Sequence, residues 1–274
     1  MTERFVTAEE RRPTSPVRHP AVAGMFYPED PKTLRAMVED LLSQARVSDG
    51  TPKAIIAPHA GYIYSGAIAA SAYARLRQAR DAIRRVVLLG PAHRVGFYGL
   101  ALSSAEYFET PLGRIELDRE TIERIAALPE VFVYDSAHEL EHSLEVQLPF
   151  LQLALDDFRL IPIVVGSATD DEVARVIESL WDDPETLVVV SSDLSHYLDY
   201  ESARRIDGIT TSAIENLDGS RIGHDNACGY VPVRGLLAAA RRHGLKASMV
   251  DLRNSGDTAG PREQVVGYGA YVIG

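Results

Sequence analysis

Four near-continuous apolar runs of strand length limit what this chain can fold into: KAIIAP (53–58), RRVVLLG (84–90), FRLIPIVVG (158–166) and TLVVVSSD (186–193). A strand solvated on one face alternates apolar and polar residues, whereas one covered on both faces reads as an unbroken apolar run. Segments between and beyond them carry the spacing of amphipathic helices: 65–78, 118–128, 169–181, 202–217 and 231–244. Two more strand-like runs, KASMVDLRN and QVVGYGAYVI, close the chain. This alternation predicts an α/β fold of three layers, a mostly parallel or mixed central sheet with helices on both faces. The stretch ALSSAEYFETPLGRIELD (101–118) reads as a hairpin inserted after the second strand. No repeat or long linker divides the chain, so residues 19–274 are expected to form one domain behind a flexible leader, 1–18.

The net charge of −11 argues against a nucleic-acid binder, whose affinity comes mainly from Lys and Arg on phosphates. No run of about 18 apolar residues suggests a transmembrane span. The first twenty residues carry charge and proline without the apolar core of a secretory signal. A lone cysteine, Cys228, suits a reducing compartment, and cytoplasm is the expected location.

In open α/β sheets, ligands bind beyond the carboxyl ends of the strands. Three of those ends carry histidine: His59 after the first run, His93 after the second, and Asp193 with His196 after another. A single loop histidine is most often a surface residue or helix cap, and His19 and His243 take that reading. For the trio it is the position that recurs, with Gly and Pro beside two of them (PHAG, GPAH) to turn the chain sharply. Two histidines and one anionic ligand are the minimal set for a mononuclear metal with open positions. Asp193, Glu141 and Cys228 are the anionic candidates; a thiolate would favour Cu(I), zinc or iron, and a carboxylate would favour non-haem Fe(II).

The run HELEH (138–142) also fits two zinc-protease spellings. The S-x-x-E pair Ser136 and Glu139 reads equally as a capping box, which gives Glu139 a structural task. A helix from there would carry a leucine stripe opposite His138 and His142, and Pro149 limits its length. A helix beginning near Ser143 would instead leave Glu141 and His142 in a loop able to reach the crevice. No third zincin ligand follows, so the spelling reads as an overlap of motifs.

HPAVAGMFYP, AIIAPHAGYIYSG, LLGPAH, EHSLEVQLPFL, VVSSDLSHY and NACG together resemble, in content and order, the Memo family, whose prokaryotic members belong to AmmeMemoRadiSam systems. The resemblance runs from about His19 to the C-terminus. It implies a fold similar to the class III extradiol, LigB-like dioxygenases, which use non-haem Fe(II). It further implies His59, His93 and Cys228 as metal ligands, His196 with Asp193 as the acid-base pair, and Glu141 and His142 as crevice residues. Fe(II) is the implied cofactor, with copper next and zinc last, and AMMECR-type and radical SAM proteins are the implied partners. Two readings follow: a redox enzyme on an unknown small molecule, or a metal-binding scaffold with a vestigial dioxygenase pocket. Where animal members place Arg-His after Cys-Gly, this chain has Tyr230 and Val231, so phosphotyrosine binding is not carried over.

Overall fold

The structure is a computed structural model that describes residues 16–46 and 50–274. Its centre is four parallel strands from the four apolar runs: β2 (Ala54–Ala57), β3 (Arg85–Pro91), β8 (Arg159–Val165) and β9 (Thr186–Ser191), in the spatial order β2-β9-β3-β8. Nearly every residue of these strands is buried, which is why the sequence there lacks alternation. Antiparallel strands extend the sheet on both sides. β12 (Val265–Ile273) pairs with β2, and β11 (Ala247–Asn254) and the short β10 (His196–Leu198) pair with β12. On the far side, β4 (Leu100–Leu102) runs antiparallel to β8 and carries β7 (Val131–Val133). The result is a nine-stranded mixed sheet among the described residues.

Helices surround the sheet. α1 (Pro31–Gln44), α2 (Tyr62–Tyr73) and α6 (Leu148–Ala154) pack together, and α7 (Asp170–Glu178) packs on α9 (Tyr230–Arg242). α8 (Tyr200–Glu215) covers β11 and β12, while the short α3 (Arg119–Ile125) precedes β7. α7 begins with a reciprocal capping box, Thr169 with Glu172, which satisfies two backbone donors at once. His243 caps the C-terminus of α9, stacked on Trp181 at 5.1 Å, and Gly244 follows in the left-handed region, as expected of a helix stop.

Three features differ from the sequence reading. α1 has no counterpart among the amphipathic segments above, although Asp30 caps it through Thr33 N at 2.9 Å and Leu34, Val38 and Leu42 form its buried stripe. The expected hairpin is shorter than 101–118. Only β5 (Tyr107–Thr110) and β6 (Gly113–Glu116) form it, and Leu100–Leu102, fully buried, join the main sheet instead. Of the expected leader, residues 1–15 lie outside the described residues. Val17–Arg18 form β1, parallel to β5, and so belong to the small sheet β1-β5-β6. No helix among the described residues is long and apolar enough to cross a membrane.

Candidate metal centre

The parallel register of β2, β9 and β3 sends their carboxyl ends in one direction, and the residues just past each end meet there. One ring nitrogen each from His59, His93 and His142 lies within 4.8 Å of the other two. Ring centroids are separated by 5.2 Å (His59–His93), 5.4 Å (His59–His142) and 4.7 Å (His93–His142). The sequence placed His142 at the crevice beside a metal site; the structure brings it together with His59 and His93.

HELEH does not form one helix. α4 (Ser136–Glu139) is a single turn whose first residue is Ser136, and no side chain caps it, so the expected Ser136 capping box is absent. Leu140 leaves the helical region and Glu141 is extended, which starts a second single turn, α5 (His142–Glu145), with Glu141 as its cap. This break turns His138 and His142 apart. His138 is buried with Nε2 on the Ala101 carbonyl at 3.0 Å and its ring edge-on to Phe108. Gly90 permits the docking of α5 on β3: a Cβ there would lie 2.7 Å from Ser143 Oγ and 2.8 Å from Leu144.

Hydrogen bonds fix which nitrogen two of the histidines present. Ser191 Oγ donates its single proton to the Ser143 carbonyl at 2.6 Å. It can therefore only accept from His59 Nδ1, 2.8 Å away, so Nδ1 carries the proton and Nε2 the free lone pair. Gln147 also donates to Ser191 Oγ (2.8 Å) and accepts from Tyr73 at 2.8 Å, which fixes its own amide. His93 Nδ1 meets Glu141 Oε1 at 2.8 Å, and the same carboxylate accepts from His93 N (2.6 Å) and Ser143 N (2.9 Å). Burial opposes the charge of Glu141, yet these donors and the His93 ring hold its carboxyl down at about 2. Ionised, it accepts the Nδ1 proton and leaves His93 Nε2 free, the carboxylate–histidine arrangement that orients metal ligands.

His142 Nδ1 is buried without a hydrogen-bond partner, 3.4 Å from Glu141 Oε1. Burial, offset in part by the Glu141 charge, lowers the pKa of His142 to about 4, and burial also lowers that of His59. Both rings are thus neutral near pH 7, the form that ligates a metal. Three converging histidine nitrogens, with the tautomers of His59 and His93 fixed by acceptors behind the rings, fit a metal ion.

Cys228 lies at the rim of this cluster, its Sγ 3.3 Å from His59 Nε2. Its turn is held by Cys228 N on the Asp193 carbonyl (3.3 Å) and Gly229 N on Ser192 Oγ (3.0 Å). Gly229 is required there, since a Cβ would come within 2.7 Å of the Ser191 carbonyl oxygen. Burial, reinforced by Asp193, pushes the thiol up to about 12 without a metal. Asp193 Oδ1 accepts from His59 N at 2.7 Å, and burial raises its carboxyl to about 6. No hydrogen bond joins Asp193 to His196; His196 Nδ1 is held by the Leu194 carbonyl at 2.8 Å. The Leu194 carbonyl therefore orients that ring.

His138 supplies a first test. The His138→Gln variant is expected to keep wild-type metal affinity by titration, because His138 is not among the clustered nitrogens. Its stability should also respond less to acid. Burial holds folded His138 at about 4, so the unfolded chain gains protons first as pH falls from about 6.5. Stability is lost across that window, by roughly 3 kcal/mol at 1.36 kcal/mol per unit. Denaturant unfolding at pH 7 and pH 4.5 should show a smaller loss in the variant than in the wild type.

The fold and site define an α/β protein with a crevice at its strand ends and a three-histidine cluster able to hold a metal ion. The chain belongs to the Memo family: a family model described as Memo-like protein matches residues 18–272. A MEMO1 family protein of Aquifex aeolicus is 41% identical over 264 residues, covering 92% of this chain and 97% of its own length. Another, from Archaeoglobus fulgidus, is 38% identical over 271 residues, covering 94% and 99%. A solved structure titled uncharacterized protein JW3007 from Escherichia coli K12 aligns at a TM-score of 0.49 and 14% identity, covering 81% of this chain and 100% of that one.

Proposed function

We propose that the protein is a mononuclear metalloenzyme, a non-haem oxidoreductase of the dioxygenase type acting on a small molecule. The observation that carries this reading is the convergence of three histidine nitrogens within 4.8 Å of one another, two with their outer nitrogens held by acceptors. His59, His93 and His142 hold the metal, and Cys228 is the additional ligand from the rim. Iron is the preferred metal, with copper second and zinc last. When bound, the metal supplies open coordination positions for redox chemistry on O₂ or substrate.

The chain's own residues then divide the remaining tasks. His196 donates its Nδ1 proton to the Leu194 carbonyl, which leaves Nε2 to take up a proton and return it. Asp193 holds the backbone of His59 in place and lies beside the thiol. Glu141 and Ser191 fix the tautomers of the ligands. Protein purified anaerobically and analysed for metals should contain about one iron or copper per chain, and His59→Ala should contain almost none. Wild type without stoichiometric iron or copper would sink the reading.

Exposed apolar side chains favour a second reading, a metal-binding scaffold for AMMECR-type or radical SAM partners. Met25 (71% exposed) precedes Phe26, whose ring is 4.9 Å from that of His142, and Tyr197 (73% exposed) follows His196. Oxygen uptake by the metal-loaded protein with catechols separates the two: uptake favours the enzyme, and a stable complex without uptake favours the scaffold.

A further inference from the structure

We propose that Arg18, outside the histidine cluster, is a positioning residue that sets the geometry of the metal site. This inference rests on the metal reading above. The Arg18 side chain is 7% exposed and makes three bonds into residues 138–145. Nε donates to the His138 carbonyl at 3.0 Å, one terminal nitrogen donates to the Glu141 carbonyl at 2.7 Å, and the other pairs with the Glu145 carboxylate. Those three anchors enclose Glu141, which orients His93, and His142, which supplies a cluster nitrogen.

The guanidinium holds its donors at fixed angles in one plane, so the three acceptors are fixed relative to one another. A lysine ammonium keeps the charge opposite Glu145 but cannot reproduce that fork. Glu145 ties the same point to the N-terminal segment, accepting from Ala21 N (2.8 Å), Val22 N (3.0 Å) and Tyr27 Oη (2.6 Å). That segment also delivers Phe26 against the His142 ring. One buried ion pair therefore joins β1, the Phe26 loop and both short turns of HELEH. Position 18 falls in what the sequence marks as a leader; in the fold it braces the site.

The test uses Co(II) titration of the full chain, read by affinity, by the cobalt ligand-field spectrum and by unfolding of the metal-free protein. Replacing a partner one shell outside a metal typically costs 10–100-fold in affinity, and Arg18 acts through such a partner, Glu141. Arg18→Lys and Arg18→Met are expected to bind Co(II) about tenfold or more weaker, with displaced visible bands. Arg175→Gln, which loses an ion pair to Glu130 away from the cluster, should keep both wild-type affinity and spectrum. Folded Arg18 variants with wild-type affinity and spectrum overturn the proposal. If neither folds, Tyr27→Phe decides it, because it removes one bond from Glu145: a displaced spectrum supports the proposal and an unchanged one overturns it. Wild type that takes up no cobalt overturns the metal reading, and this inference with it.

Discussion

Alanine at His59, His93 or His142 is expected to lower Fe(II) or Co(II) affinity by at least about 100-fold each, or about 2.7 kcal/mol. The size follows from comparison. Loss of an outer-shell partner costs 10–100-fold, and loss of a ligand itself costs no less. The three imidazoles share one cluster, so the effects should be similar and not additive. Cys228→Ser is expected to behave differently. The thiol touches one histidine, at 3.3 Å from His59 Nε2, and stands outside the clustered nitrogens. Its loss should lower affinity less and remove the thiolate-to-metal absorption of the Co(II) form. Isothermal titration with the four variants checks the ranking, and a Cys228→Ser loss as large as the histidine losses would make the thiol an equal ligand.

Glu141→Gln carries the second large effect, on stability and metal affinity together. The wild-type carboxylate accepts from His93 N, His93 Nδ1 and Ser143 N, and the side chain is 1% exposed. An amide turns one oxygen into a donor, which must then face an N–H of His93 or Ser143. Glu141 also has a carboxyl held at about 2 against an ordinary 4.5. A carboxyl depressed in the folded state stabilises it fully above the unfolded pKa, and that stabilisation is lost as pH falls through the folded one. Glu141→Gln should therefore cost roughly 3 kcal/mol at pH 7, a difference that narrows below about pH 4.5. Denaturant unfolding across that range measures it. The same change should weaken metal binding 10–100-fold, because the His93 tautomer is no longer imposed.

What the sequence made legible follows from where the physics is local. Strands β2, β3, β8 and β9 could be read because burial on both faces leaves an unbroken apolar run in each. Placing His59, His93 and His196 at strand exits needed only that run and the residues after it. The three-residue strands β4 and β7 gave no readable period and exist through pairing with β8 and with each other. α1 carries a local signal as well, an Asp-Pro start and buried residues four apart.

The histidine cluster was half legible. His142 stood out through HELEH, but its place with His59 and His93 depends on the break at Leu140 and Glu141, which no periodicity announces. The residues that fix tautomers were silent. Ser191 meets His59 across 132 positions, and Glu141 meets His93 across 48. Arg18 was less legible still, because its meaning lies in three acceptors about 120 residues away.

The proposed function stands on one metal ion held among His59, His93 and His142. Anomalous-scattering maps from crystals of metal-loaded protein, recorded on both sides of the iron and copper absorption edges, test it most directly. One peak is expected about 2.0–2.1 Å from a ring nitrogen of each of the three histidines, a usual metal–nitrogen bond length. No peak there, or a peak beside His138, would contradict it.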